Sequence, residues 1–91
     1  MNSENKFTTN DSNLTLRYDQ YLDARDLSCP LPLLKAKQQL NSLDVGQVLL
    51  VQASDPGSWA DFASYASLSA HQLVMREKSG STFNFLLQKG E

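Results

Sequence analysis

Apolar residues recur along this chain with two spacings, one of two residues and one of three to four, and the spacing changes four times. Leu14, Leu16 and Tyr18 alternate with polar residues and are followed by Tyr21, Leu22 and Ala24, which places a first strand between residues 16 and 24. From Leu33 the spacing lengthens. Leu33, Ala36, Leu40 and Leu43 share one helical face, with Lys35, Gln38 and Gln39 largely off it. The predicted helix runs from about residue 30 to 42, and the stretch Asp44 to Gly46 breaks its pattern. Residues 47–53 then carry Val48, Leu49, Leu50 and Val51 in succession, the signature of a buried central strand. Asp55-Pro56 predicts a helix start, with Asp55 as the N-cap and Pro56 at the first helical position. Trp59, Phe62, Ala63 and Ala66 share one face of this second helix, which extends to about residue 69. Leu73 and Met75 alternate with Val74 and Arg76 in a third strand, and Ser79-Gly80 turns the chain. Phe83, Phe85 and Leu87 line one face of a fourth strand, with Asn84 on the other.

The predicted fold class is α/β, in the order strand, helix, strand, helix, strand, strand. Two parallel crossovers ending in a hairpin give a four-stranded mixed sheet. Both helix stripes need cover, so a two-layer sandwich with both helices on one face of the sheet is expected. Residues 1–15 are rich in Asn, Ser and Thr and hold too few apolar side chains to offset the entropy of ordering, which predicts a flexible tail. Residues 16–91 form the single domain that a 91-residue chain can support.

Composition narrows the function. Hydrophobic residues at 41% and charged residues at 20% describe a globular chain, neither disordered nor membrane-embedded. The apolar runs are too short for a membrane helix, and the polar start lacks the apolar core of a signal peptide, so a cytoplasmic location is expected. Eight Lys and Arg against ten Asp and Glu leave a formal charge of -2, without the basic footprint of a nucleic-acid binder. Stable contact with nucleic acid is therefore not expected, and a regulator acting on nucleic acid is the weakest reading. The one cysteine excludes an intrachain disulfide and a Cys-rich metal site, and suits a reducing compartment. No metal and no cofactor is expected. Four dispersed glycines make no phosphate loop.

That cysteine, Cys29, stands where the first strand hands over to the first helix. Backbone N–H groups and the dipole at a helix N-terminus favour an anion, here a thiolate. Free thiols have a pKa of about 8.5, and helix N-termini can lower it to roughly 3.5–7.5. Pro30 and Pro32 fix the backbone after Cys29 but remove two N–H donors, so a modest lowering is expected. The same position also suits a buried structural cysteine, since free cysteines are among the most buried residues. A conventional thiol nucleophile needs a base, and nothing in the sequence brings His71, the one histidine, near Cys29. Asp23, Arg25 and Asp26 flank the turn, either as local ion pairs or as tuners of partner docking. Lys35 and Lys37 are solvated, yet close enough to border an acidic partner's landing site. Trp59 and Phe62 read as core, with Trp59 partly exposed near its helix start.

The run Leu22-Asp23-Ala24-Arg25-Asp26-Leu27-Ser28-Cys29-Pro30-Leu31-Pro32 resembles the signature of the TusA/SirA-like sulfur-carrier family: a strand ending in Leu-Asp, a short loop, then Cys-Pro-x-Pro opening a helix. Leu33-Leu34-Lys35-Ala36-Lys37, the Gly46 turn, Asp55-Pro56-Gly57-Ser58 and the closing hairpin are similar too, so the resemblance spans about residues 21–89. It implies a two-layer α/β sandwich that carries sulfur. Cys29 would accept sulfane sulfur from a donor protein, a cysteine desulfurase or a rhodanese-like protein, hold it as a persulfide and pass it to an acceptor protein. Relatives serve tRNA thiolation, molybdenum-cofactor assembly, sulfur oxidation or selenium metabolism. The resemblance makes Cys29 the sulfurtransferase residue, with Pro30, Pro32, Arg25 and Asp26 supporting it. The chain departs from the family at Asp26 and Ala70, where glycine is usual, and at Ala66, where many relatives have a second cysteine. The reading from a different class is an interaction or regulatory module of the same fold in which Cys29 is structural.

Overall fold

The computed structural model describes residues 17–91; Leu14, Leu16 and the expected tail, residues 1–15, lie outside them. The elements are β1 (Gln20–Ala24), α1 (Leu31–Leu40), β2 (Val48–Ala53), α2 (Ser58–Leu68), β3 (Gln72–Ser79) and β4 (Thr82–Gln88), in the predicted order. The sheet order is β1-β2-β4-β3. β1 and β2 are parallel, and β4 runs antiparallel to both its neighbours. Both helices cover one face. Leu49, Val51 and Ala53 of β2 and Phe83, Phe85 and Leu87 of β4 meet Ala36 and Leu40 of α1 and Phe62 of α2 in one buried cluster. At its centre the Phe62 and Phe85 rings stack with centroids 4.4 Å apart, a pairing that contributes about 0.5–1.5 kcal/mol beyond the area it buries.

The central position of β2 explains its unbroken apolar run, because its second face is buried too. On that face Tyr21, Leu50, Leu86 and Met75 lie in register across all four strands as an apolar row. Leu50 is wholly buried although it points away from both helices. The next row, Asp23, Gln52, Asn84 and Glu77, is polar. Tyr21 donates its hydroxyl to Gln52 Oε1 at 2.6 Å, and Gln52 Nε2 donates to Asn84 Oδ1 at 3.0 Å. Asn84 is therefore on the face opposite Phe83 as predicted, but buried.

Three local expectations are corrected. The simple alternation predicted for the third strand fails at a bulge between Leu73 and Met75. Leu73 pairs with Leu87 on the helix side and Met75 with Leu86 on the far side, because the extra residue inverts the side-chain order. Arg76 is thereby turned toward the helices, where its guanidinium lies 4.1 Å from the Trp59 ring centroid and donates to the Trp59 carbonyl at 2.9 Å. The second helix starts at Ser58, with Gly57 as N-cap, so Asp55 is not the N-cap and Pro56 not the first helical residue. Asp55 Oδ2 instead accepts the Gly57 N–H at 3.0 Å, and i+3 backbone bonds from Ser58 to Asp55 and from Trp59 to Pro56 build a tight turn ahead of the helix. The first helix likewise begins at Leu31 rather than Pro30, which is its N-cap.

The far end of the sheet is tied down. Ser69 leaves α2 in an extended conformation, and its Oγ accepts the His71 N–H at 3.1 Å, so no glycine is needed at Ala70. Lys89 exchanges backbone bonds with Gly46 and Gln47, and its Nζ donates to the Leu40 carbonyl at 2.7 Å. Gly90 N–H donates to His71 Nδ1 at 3.0 Å. Among the described residues no helix is long and apolar enough to cross a membrane.

Candidate functional site at Cys29

Because β1 and β2 are parallel, both finish at the same end of the sheet, and the connections to α1 and α2 lie side by side there. The first connection turns at Asp26, whose φ of 74° lies in the left-handed region. Aspartate occupies that region at a cost, offset here by the bond its N–H donates to Ser54 Oγ at 2.9 Å. That bond also ties the first connection to the second. Arg25 turns back on its own strand: Nε and Nη2 donate to the two oxygens of Asp23 at 2.8 and 3.0 Å. The pairing raises the guanidinium's pKa and holds the Asp23 carboxyl down at about 2. Arg25 is thus engaged with Asp23, and it is the backbone of Asp26 that shapes the loop.

Cys29 is exposed, so it is no part of the core. Its peptide bond to Pro30 is cis. Ser28 carbonyl accepts the Leu31 N–H at 2.8 Å and the Pro30 carbonyl accepts that of Leu34 at 3.0 Å, which closes the first turn of α1 around the cysteine. Pro30 stays exposed, while Pro32 is buried and anchors that turn. From the second connection, Gly57 leaves room: a Cβ there would stand 4.0 Å from Cys29 Sγ and 3.0 Å from Asp55 Oδ2. Asp61, in the first turn of α2, reaches across. The Cys29 thiol donates to Asp61 Oδ2 at 3.1 Å.

This contact overturns the expected lowering of the thiol pKa. The Asp61 hydrogen bond pushes the Cys29 thiol up, with some desolvation and the negative charges of Asp61 and Asp55 acting in the same direction. A carboxylate that accepts the thiol proton stabilises the neutral form. The helix N-terminus is present as expected, but the thiol donates to a carboxylate. Asp61 is the site residue that sequence reasoning missed. The signal was available, since parallel crossovers bring the first turns of consecutive helices to one end of the sheet, and Asp61 is the acidic residue in the first turn of α2.

The other candidates fall elsewhere. His71 sits at the start of the β3 side of the sheet's opposite end, with its Nδ1 taken by Gly90 and its ring 5.8 Å from that of Tyr65. Burial, and then the Lys89 charge, lower its pKa. Lys37 holds its ammonium over the Tyr65 ring at 5.3 Å, and Lys35 borders an open groove with Leu22, Gln38 and Gln39. Leu31 and Leu34 are exposed on the first turn of α1. Among the described residues no cluster of three or more His, Cys, Asp or Glu is arranged to hold a metal ion.

The family model described as Sulfurtransferase TusA matches residues 20–89. The chain is 47% identical to Sulfur carrier protein TusA of Allochromatium vinosum over 72 residues, which take in 79% of this chain and 95% of that one. It is 35% identical to Putative sulfur carrier protein YrkI of Bacillus subtilis over 75 residues, 82% of this chain and the whole of the relative. Putative sulfur carrier protein YrkF of the same organism is 38% identical over 69 residues, 76% of this chain but 37% of that relative.

Proposed function

The chain belongs to the TusA family of sulfur carriers, and we propose that it carries sulfur as a persulfide on Cys29. The observation that carries this reading is the placement of Cys29, an exposed thiol where two helix-opening turns meet. A carrier needs little else. In loading, the Cys29 thiolate attacks the outer sulfur of a donor persulfide; the new bond is Cys29 S–S, the donor's S–S bond breaks, and the donor leaves as a thiolate. The proton stays with the outer sulfur or passes to solvent. Unloading repeats the exchange, with an acceptor thiolate attacking the outer sulfur and Cys29 leaving as the thiolate. No net oxidation occurs in either step.

The partners this chemistry requires are a donor protein bearing a persulfide, of the cysteine desulfurase or rhodanese kind, and an acceptor protein bearing a nucleophilic sulfur. Turnover depends on both, and among the described residues the one side chain hydrogen-bonded to the thiol is the Asp61 carboxylate. Thiolation of tRNA and other sulfur-transfer routes are the destinations such a relay serves, and the reducing compartment it needs is the cytoplasm. The supporting residues act on geometry: Pro32 anchors the helix start, Pro30 shapes the turn, and Asp26 ties the two connections together through Ser54.

The test is intact-mass spectrometry after incubation with a cysteine desulfurase and free cysteine in the absence of reductant, beside Cys29→Ser. A gain of one sulfur atom on the wild type alone, reversed by a reducing thiol, is the expected result. Gain on a folded Cys29→Ser protein would refute the assignment.

A further inference from the structure

The groups facing Cys29 are unusually one-sided in charge. Asp61 accepts a hydrogen bond from its thiol, and Asp55 stands across Gly57. The cations on the neighbouring elements are engaged elsewhere or turned outward: Arg25 with Asp23, Lys37 with the Tyr65 ring, Lys35 along the α1 groove. Asp26, the remaining acid of the first connection, holds Ser54 through its backbone.

We propose that Asp61 is a positioning residue that treats the empty and the loaded carrier in opposite ways. This deepens the sulfur-carrier reading and rests on it for the loaded state. In the empty state Cys29 Sγ bears a proton, and the bond to Asp61 Oδ2 holds the thiol neutral and quiet. Once sulfur has been added, Sγ has no proton to donate, and the ionisable group is the outer sulfur, one S–S bond of about 2.05 Å farther out. A persulfide is more acidic than a thiol, so the outer sulfur is the anion. The Asp61 carboxylate then repels it, turning it away from α2 and toward an approaching acceptor. Asp61 therefore favours the empty carrier over the loaded one, and shifts sulfur onward rather than storing it. The direction of the Cys29 thiol's shift agrees with the first half of this account.

The test uses the full chain and Asp61→Asn, which keeps the side-chain shape and removes the charge, with Asp55→Asn as a second variant that leaves the hydrogen bond in place. Iodoacetamide alkylation of Cys29 is followed against pH. The Asp61→Asn profile should move to lower pH and its rate at pH 7.5 rise several-fold; Asp55→Asn should move the same way by less. Loading is then read by intact mass after equilibration with a small-molecule persulfide, and Asp61→Asn should retain the larger loaded fraction. An unchanged alkylation profile in a variant with wild-type thermal stability overturns the proposal. A shifted profile with an unchanged loaded fraction overturns its second half. Failure of the wild type to load at all would strike the carrier reading and leave the alkylation result standing, so the two failures are told apart.

Discussion

At the end of the sheet where β1 and β2 finish, Cys29 is exposed, Asp26 is held at φ 74°, and two carboxylates face one thiol. At the opposite end the last residues of the chain are fastened at four points: Gly46, Gln47, the Leu40 carbonyl and His71. The first end accepts local cost in return for an accessible sulfur. The second is held by hydrogen bonds that close the sheet. Strain and like charge thus concentrate around the proposed sulfur-carrying cysteine, as expected when a reactive group is held in an environment that packing alone would not select.

The division predicts that substitutions at the two ends separate activity from stability. Cys29→Ser should abolish sulfur loading in the mass assay while shifting unfolding free energy by no more than about 0.5 kcal/mol, since the residue is exposed. Gly90→Ala should do the reverse. A Cβ there overlaps the Ala70 carbonyl, so the chain end must lift off. Losing its hydrogen bonds should cost about 1–2 kcal/mol in urea denaturation, with Cys29 alkylation unchanged. A Gly90→Ala protein as stable as the wild type would break the comparison.

Two smaller effects sharpen it. His71 has a folded-state pKa below its ordinary value of 6.5, so the unfolded chain binds its proton first. The stability His71 supports is therefore complete above pH 6.5 and declines as pH falls below it. Denaturation midpoints at pH 7.5 and 5.5 should differ more for the wild type than for His71→Gln. At the other end, Asp26→Gly relieves a left-handed aspartate but frees the unfolded chain, and should raise stability by less than about 1 kcal/mol by thermal melting. A clear loss would mean that the aspartate side chain holds the loop in some further way.

The layout of strands and helices was legible because each element announces its period: four apolar residues in a row at Val48 to Val51, and Phe83, Phe85 and Leu87 alternating around Asn84. What escaped depends on contacts between distant segments. Asp61 lies 32 residues from Cys29 and meets it through a crossover, so its effect on the thiol outweighed a helix-end argument that was locally sound. The bulge at Val74 has no strong local marker, since one inserted residue leaves the composition of a strand unchanged. Asp55-Pro56 carried the chemistry of a helix start, but the asparate's acceptor went to Gly57 in a preceding turn. The burial of Leu50 and Asn84 on the face away from the helices follows from the sheet order, which periodicity alone does not supply.

The parallel pairing of β1 with β2 has a consequence for tethering. Asp19 N–H bonds to the Val48 carbonyl, and Gly90 docks on His71, so the chain enters and leaves the domain at the end remote from Cys29. The length of β2, six residues, separates them by about 17 Å of strand. A fluorophore, surface linker or fusion partner joined after Gly90 would hold the domain by its base and point the sulfur outward. Immobilised donors or acceptors could then be screened against it without the attachment covering the reacting thiol.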